Sequence, residues 1–171
     1  MKYKANKINR IHEHPTALSL LKSSLPYNNM IRDIGYDRLF LHYWSSTEIN
    51  SYRLYAKNHK LPTISIDATG GLVQKPTLIS GRQTSNTFLY QIGVRDTKNK
   101  YQFSVGHMLS ERHDNNSIAY WLTEWLRNDI SPPKVIVTDQ SLALMIAAVK
   151  TFIQYSNLIK YISICSSLIQ K

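Results

Sequence analysis

The chain has 171 residues, of which 43% are hydrophobic and 11% aromatic, enough to bury the core of one domain. A charged fraction of 19% is too low for a disordered, solvating segment. The 21 Lys and Arg residues outnumber the 11 Asp and Glu residues, and the resulting net charge of +10 favours a polyanionic partner such as nucleic acid. A single cysteine, Cys165, excludes an intrachain disulfide and a multi-cysteine zinc site.

The apolar runs are short. The longest, Leu142 to Val149, falls far below the ~20 residues that a membrane span requires, and Met1 to Pro15 lacks the apolar segment of a secretory signal. We therefore expect an intracellular protein without a membrane partner.

Residues 1–61 are predicted to form a basic helical N-terminal segment, with 10 Lys and Arg against 4 Asp and Glu, or +6 of the total charge. Helices are expected over three ranges: Thr16–Lys22, Tyr27–Leu41 and Thr47–His59.

The third of these helices carries the candidates for nucleic-acid contact. Thr47 is its expected N-cap. The basic residues that fall away from its apolar stripe are Arg53, Lys57 and Lys60. Tyr52 and Tyr55 lie among them and are weaker candidates for contact with bases.

Residues 62–171 change to a pattern of strands and helices. Strands are predicted at Thr63–Asp67, Thr87–Val94, Tyr101–Leu109 and Lys134–Thr138. Helices are predicted at Ile118–Leu126, capped from the stretch 114–117, and at Ser141–Phe152 and Leu158–Ile169. Trp121 and Trp125 are expected in the core. The order is β-β-β-α-β-α, with a hairpin turn over 96–100 between the second and third strands.

Two aspartates, Asp67 and Asp139, each close a predicted apolar strand. A helical crossover can set the fourth strand parallel to the first, which brings both carboxylates to the same edge of the sheet. Neighbouring strands are ~4.8 Å apart, so the pair could share a divalent cation, and Mg²⁺ suits carboxylate ligands. Taken singly, Asp139 also fits a helix N-cap and Asp67 a turn residue.

Other chemistry is poorly supported. Glu111 would share the edge as a third carboxylate, but two strands from Asp67, roughly 10 Å. Asp114 and Glu124 more simply serve as a cap and an exposed helix residue. The six histidines lack the spacings of zinc sites, and no serine has a nucleophile-elbow context.

With the aspartates placed, residues 63 to 155 resemble the catalytic core of Mutator-like (MULE-type) DDE transposases. The most specific pieces are Asp67-Ala68-Thr69 and the Pro133 to Asp139 stretch before an alanine-rich helix. The resemblance implies a ribonuclease H-like mixed sheet, with Asp67 and Asp139 as the first two catalytic, metal-binding aspartates. It also implies Mg²⁺ or Mn²⁺, DNA as the partner and hydrolysis or strand transfer at phosphodiesters; a nuclear location and a homo-oligomer are further expectations.

Family members continue to a third acidic residue on a later helix, whereas this sequence stops at Lys171. We therefore expect an incomplete core with two of three carboxylates, and a catalytically inactive nucleic-acid-binding module is the alternative. A minor alternative is a fragment of an actin-like ATPase, because Asp67 to Gly71 is similar to the first phosphate loop of that family.

Overall fold

The computed structural model describes residues 15–25, 27–71, 75, 77–78, 81–155 and 157–169. The first fourteen residues of the predicted basic segment therefore lie outside the described residues. Strands are β1 (Ile31–Gly35), β2 (Phe40–Tyr43), β3 (Thr63–Gly70), β4 (Phe88–Asp96), β5 (Tyr101–Ser110) and β6 (Val135–Thr138). Helices are α1 (Pro15–Ser23), α2 (Ser46–Asn58), α3 (Asn115–Leu126), α4 (Leu142–Ala148) and α5 (Leu158–Ile169).

The six strands form one mixed sheet in the order β1-β2-β5-β4-β3-β6. Every neighbouring pair is antiparallel except β3 and β6, which are parallel. The run β3, β4, β5, α3, β6, α4 confirms the predicted β-β-β-α-β-α order. The fold is therefore mixed α/β.

The parallel pair is fixed where its two strands begin. Backbone N–H groups of Lys134 and Val135 both donate to the carbonyl oxygen of Pro62, at 2.9 and 3.1 Å. The register then runs from Thr63 opposite Val135 to Ile66 opposite Thr138. The hydrogen bonds at Pro62 therefore fix the parallel direction and the register of the β3–β6 pair at its start, several residues before the two aspartates.

The core lies between the sheet and helices α2, α3 and α4. Trp121 and Trp125 of α3 are fully buried, as predicted, and Asp114 caps that helix through the N–H groups of Asn116 and Ser117. The indole N–H of Trp125 donates to the Val105 carbonyl at 2.9 Å. A buried indole that finds a hydrogen-bond partner fixes α3 against β5.

The predicted helix over Tyr27–Leu41 is wrong, because this stretch forms β1 and the start of β2. Residue Gly35 lies opposite Phe40 in the antiparallel pair, and a Cβ on Gly35 would overlap the Phe40 ring. Strand β2 also pairs with β5. The hydrogen bonds between β2 and β5, which lie over 60 residues apart in the sequence, therefore outweigh the helical spacing of the apolar residues in this stretch. No local sequence pattern reveals such a distant partner.

Three predicted boundaries also change. Helix α2 is capped by Ser45 rather than Thr47, because Ser45 and Glu48 form a reciprocal capping box. Strand β3 continues through Asp67 to Gly70, so Asp67 is inside the strand and not at its end. The predicted helix Ser141–Phe152 is α4 followed by a π-helical turn, Val149–Ile153.

Over the described ranges, no single helix is long and apolar enough to cross a membrane; the bent pair Leu142–Ile153 and Leu158–Ser167, at 72°, meets that measure only when its two parts are taken together.

Candidate active site

The parallel pairing of β3 with β6 decides where the two predicted site aspartates lie. Ile66 is opposite Thr138, and these are the last two residues that pair between β3 and β6. Asp67 and Asp139 are the next residue on each chain, and both are exposed. Adjacent strands are ~4.8 Å apart, so the two aspartates lie side by side at one edge of the β3–β6 pair.

Each of these carboxylates uses one oxygen in a local hydrogen bond. Asp67 Oδ1 accepts from the Ala68 N–H at 2.8 Å, and Asp139 Oδ1 accepts from the Ser141 N–H at 2.8 Å. The second bond forms a turn ahead of α4, whose N-cap is Ser141, so Asp139 is a turn residue and the N-cap alternative for it is wrong. No donor from the described chain reaches the second oxygen, Oδ2, of either aspartate, which leaves one oxygen on each for a ligand.

Sequence reasoning missed His113, which lies next to this edge. Its Nε2 is 3.4 Å from the Ser141 hydroxyl, and its Nδ1 is 2.7 Å from the Tyr90 hydroxyl. The ring also stacks on Phe88, with centroids 4.7 Å apart. Phe88 and Tyr90 are two apart on one strand and so share a face, but nothing in the sequence links them to His113.

Glu111, the candidate third carboxylate, is committed elsewhere. Its side chain is only 2% exposed, and its two carboxylate oxygens accept hydrogen bonds from the two terminal guanidinium nitrogens of Arg82, both at 2.9 Å. It also accepts backbone N–H groups of Leu39 and Ser85, at 2.6 and 2.7 Å. The Arg82 hydrogen bonds and these N–H donors lower the pKa of Glu111 to about 2. Glu111 therefore holds the segment before β2, which contains Leu39, and the segment before β4, which contains Arg82 and Ser85, against the end of β5.

The other two acidic candidates are engaged at α3. Asp114 caps the helix, as predicted, whereas Glu124, predicted to be exposed, is half-buried and pairs with Arg127, the C-cap residue. Within the described residues, no group of three or more His, Cys, Asp or Glu side chains has the geometry to hold a metal ion. The edge thus offers two carboxylates, Asp67 and Asp139.

The predicted nucleic-acid contacts on α2 are not near the aspartates. Lys57 and Lys60 are exposed and lie before β3 in the chain. Asp67 is four residues beyond Thr63, the first residue of β3, which corresponds to roughly 13 Å along the strand. Arg53 is held by the carbonyl of Asn128 and the side chain of Asn50, at 2.6 and 2.9 Å. Its guanidinium ties α2 to the end of α3.

The two tyrosines of α2 were wrongly considered for base contact. Tyr52 is 0% exposed and its ring packs on Trp125, while its hydroxyl donates to the Ser131 carbonyl at 3.0 Å. Tyr55 is also buried, and its hydroxyl accepts the Thr63 N–H. Both tyrosines are core residues. Their basic neighbours in the sequence favoured a surface position and gave no sign of this burial.

A row of polar side chains crosses the sheet from Asp67. Asp67 is opposite Gln91, Gln91 is opposite His107, and His107 is opposite Tyr43. Directly opposed residues share a face, so this polar row lies on one side of four strands. Its far end is a stack of the Tyr43 and His107 rings, with centroids 4.7 Å apart and planes inclined by 7°.

Known proteins give one informative comparison. No protein-family model matches the chain, and no solved structure matches it. The 120.7 kDa protein in the NOF-FB transposable element of Drosophila melanogaster is 38% identical over 118 residues, which is 67% of this chain. The matched part is 10% of that relative's length. The chain is therefore similar to a transposable-element protein, of which it spans about a tenth.

Proposed function

We propose that this chain is part of a transposase-derived protein with a ribonuclease H-like core of the Mutator-like DDE type. In this proposal Asp67 and Asp139 bind Mg²⁺ or Mn²⁺, and the partner is DNA. The observation that carries it is the register of β3 with β6, which brings two carboxylates 72 residues apart in the sequence to one sheet edge. The similarity to a transposable-element protein supports the same origin.

The strand order supports the proposed core. Three antiparallel strands, β5, β4 and β3, are followed in the sheet by β6, which is parallel to β3 and is reached through α3. This is the arrangement that the resemblance implies. The minor ATPase alternative loses support, because residues 67–70 are extended strand and leave no turn there to surround a phosphate.

The donor atoms at the edge fit a hard divalent cation. Asp67 and Asp139 are exposed and supply carboxylate oxygens only, and each keeps one oxygen without a donor from the described residues. Mg²⁺ is commonly bound through one or two carboxylates, with water and phosphate oxygens completing its shell. When bound, such an ion would polarise a phosphodiester and activate a nucleophile.

In this proposal DNA contacts both the end of the β3–β6 pair, where Asp67 and Asp139 lie, and the polar row. The row gives Asp67 a line of hydrogen-bonding neighbours, Gln91 and His107, and ends at the stacked Tyr43 ring. Lys57 and Lys60 are proposed to contact phosphates further from the edge. Their charges would strengthen binding in a salt-dependent manner, whatever the DNA sequence.

The test is metal binding to the intact chain by isothermal titration calorimetry. We expect Mn²⁺ to bind the unsubstituted chain, and Asp67→Asn and Asp139→Asn each to weaken that binding at least tenfold. Asp129→Asn is the matched control, since Asp129 is equally exposed but follows the end of α3. Equal Mn²⁺ affinity in all four proteins would overturn the proposed metal site.

A second candidate function is a nucleic-acid-binding module without turnover. The observation that favours it is the pairing of Glu111 with Arg82, which leaves two carboxylates at the edge instead of three. Mg²⁺- or Mn²⁺-dependent nicking of a supercoiled plasmid separates the two functions. Nicking that Asp67→Asn abolishes supports the enzyme, and salt-sensitive DNA binding without nicking supports the module.

A further inference from the structure

His113 lies in the loop between β5 and α3, next to the edge that carries the two aspartates. Its ring stacks on Phe88, with centroids 4.7 Å apart and planes inclined by 26°. Phe88 is opposite Gly70, three residues beyond the first aspartate on β3. His113 Nε2 is 3.4 Å from the hydroxyl of Ser141, two residues beyond the second aspartate. The ring is therefore close to both chain segments that carry the aspartates.

The hydrogen bonds of Tyr90 decide which nitrogen of the neutral His113 ring carries the proton. The Tyr90 hydroxyl has a single proton, which it donates to the Arg112 carbonyl at 3.0 Å. Burial raises the pKa of Tyr90, which keeps this hydroxyl protonated. His113 Nδ1 is 2.7 Å from the same hydroxyl oxygen, so Nδ1–H donates to it. Nε2 is then the acceptor nitrogen, and it faces Ser141 at the aspartate edge.

The loop segment that carries His113 is held in place on both sides of this residue. Glu111 is buried in its ion pair, and the Arg112 N–H donates to the Ser110 hydroxyl at 2.9 Å. On the other side, Asp114 caps α3. The imidazole itself is fixed by its stacking partner and by its Nδ1 hydrogen bond. Because the ring is already ordered, a ligand that contacts it costs little additional side-chain entropy.

The imidazole of His113 has one covered face and one accessible side. Two aromatic rings of the described chain lie against it, those of Phe88 and Tyr90, and both belong to β4. The residue is nevertheless exposed, so its accessible surface is on the side turned away from β4. No aromatic ring from the described residues covers that side. A flat ring that is exposed and fixed is suited to stacking with a nucleobase, since every base has an aromatic face.

We propose that His113 stacks with an unpaired base of a DNA strand that passes the aspartate edge. This inference rests on the proposed function, from which it takes DNA as the partner and the edge as its site. A base inside a duplex is stacked on its neighbours, whereas an unpaired base has a face free for a side chain. The DNA that fits this edge is therefore a single strand, and an intact duplex lacks the stacking contact.

The experiment is fluorescence anisotropy of the intact chain with a labelled DNA single strand and with a duplex of the same sequence, without divalent cations. We expect the single strand to bind more tightly. His113→Leu removes the ring and should weaken single-strand binding about tenfold while leaving duplex binding unchanged. His113→Phe keeps a flat ring and should retain single-strand affinity within about threefold. Tyr101→Leu is the matched control, because Tyr101 is also exposed and next to an aromatic ring, that of Phe103, but begins β5 at the other end of the sheet.

Two further measurements locate the contact and separate it from the metal site. A single strand that contains 5-iododeoxyuridine should form a photo-cross-link to His113 of the unsubstituted chain, which peptide mass spectrometry identifies. Asp67→Asn should leave metal-free single-strand binding unchanged, so a chain that binds the strand through His113 but binds no Mn²⁺ would contradict the proposed metal site alone.

The stacking inference has its own contradicting results, whatever the outcome for Mn²⁺. It would be overturned by equal affinity of the unsubstituted chain for single strand and duplex, or by the absence of single-strand binding. Unchanged single-strand affinity in His113→Leu, an equal loss in Tyr101→Leu, or cross-links only at other residues would also overturn it.

Discussion

Thr138 of β6 lies opposite Ile66 of β3 in a parallel pair, so the residues that follow them, Asp139 and Asp67, come to the same edge of the sheet. A parallel pair requires a crossover of a dozen or more residues, and here the intervening chain includes β4, β5 and α3. The proximity of the two carboxylates is therefore a consequence of topology. The two carboxylates stay close as long as the core that packs against β3 and β6 stays folded.

The capping box of α2 should contribute measurably to stability. Ser45→Ala removes a hydroxyl that accepts the Glu48 N–H at 3.1 Å. The expected loss is about 0.5–2 kcal/mol in the free energy of unfolding, measured by urea denaturation. Thr47→Ala is the control, because Thr47 is already inside the helix. An equal or larger loss in Thr47→Ala would contradict the observed cap.

Glu111 should make stability depend on pH in the acid range. Its folded-state pKa of about 2 is below the ordinary value of 4.5, so its contribution is fully present above pH ~4.5. That contribution is lost as the pH falls through the folded pKa. Glu111→Gln should lower the free energy of unfolding by about 1–3 kcal/mol at pH 7, because the Leu39 and Ser85 N–H groups and Arg82 lose a charged acceptor.

Urea denaturation at pH 7 and pH 3 tests this dependence. The difference between Glu111→Gln and the unsubstituted chain should shrink at pH 3. Glu124→Gln is the control, since its pair with Arg127 is a more exposed pair within one helix and is worth about 0.3–0.5 kcal/mol. A Glu111→Gln effect no larger than that of the control would contradict the anchoring role.

Gly106 should be intolerant of a side chain, because the core is closely packed against it. A Cβ there would lie 3.0 Å from Trp125 Cδ1 and 3.3 Å from Ile92 Cδ1. Gly106→Ala is expected to lower the free energy of unfolding by about 1–3 kcal/mol through overpacking. The emission spectrum of the folded variant should also change, since Trp125 must move. An unchanged denaturation midpoint and spectrum would contradict this packing.

DNA binding should report on the two exposed lysines near the end of α2. The double variant Lys57→Met, Lys60→Met is expected to weaken binding of a random duplex and to reduce the slope of log affinity against log salt by about 2, or about 1 for each phosphate contact. Lys98→Met, in the exposed β4–β5 turn, is the control. Fluorescence anisotropy at several salt concentrations measures both quantities, and an unchanged slope would remove these lysines from the interface.

The sequence was sufficient for elements whose signals are local. Helix α3 has apolar residues at helical spacing and Asp114 as its cap, and α5 was predicted with the observed bounds. The β4–β5 hairpin was also predicted, and Asp96 accepts the N–H groups of Lys98 and Asn99 in its turn. Each of these depends on residues fewer than about a dozen positions apart.

Elements that depend on distant partners were missed. Strands β1 and β2 have five and four residues; β1 pairs with β2 and β2 with β5, whereas Ile31 and Ile34 also fit a helix. Gly35 and Asp37 were the available turn signal. For the site, strand order and the helical crossover predicted that Asp67 and Asp139 come to the same end of neighbouring strands, but the burial of Glu111 with Arg82 and the approach of His113 arise from loop packing.

Paramagnetic broadening by Mn²⁺ tests the central claim most directly. In a ¹⁵N-labelled chain, the amide signals of Ala68 and Gln140, the residues after Asp67 and Asp139, should broaden first and at the same Mn²⁺ concentration. In Asp67→Asn, broadening should be lost at both positions. Broadening at only one of them, or strongest broadening at a distant carboxylate such as Asp129, would contradict a shared metal site at this edge.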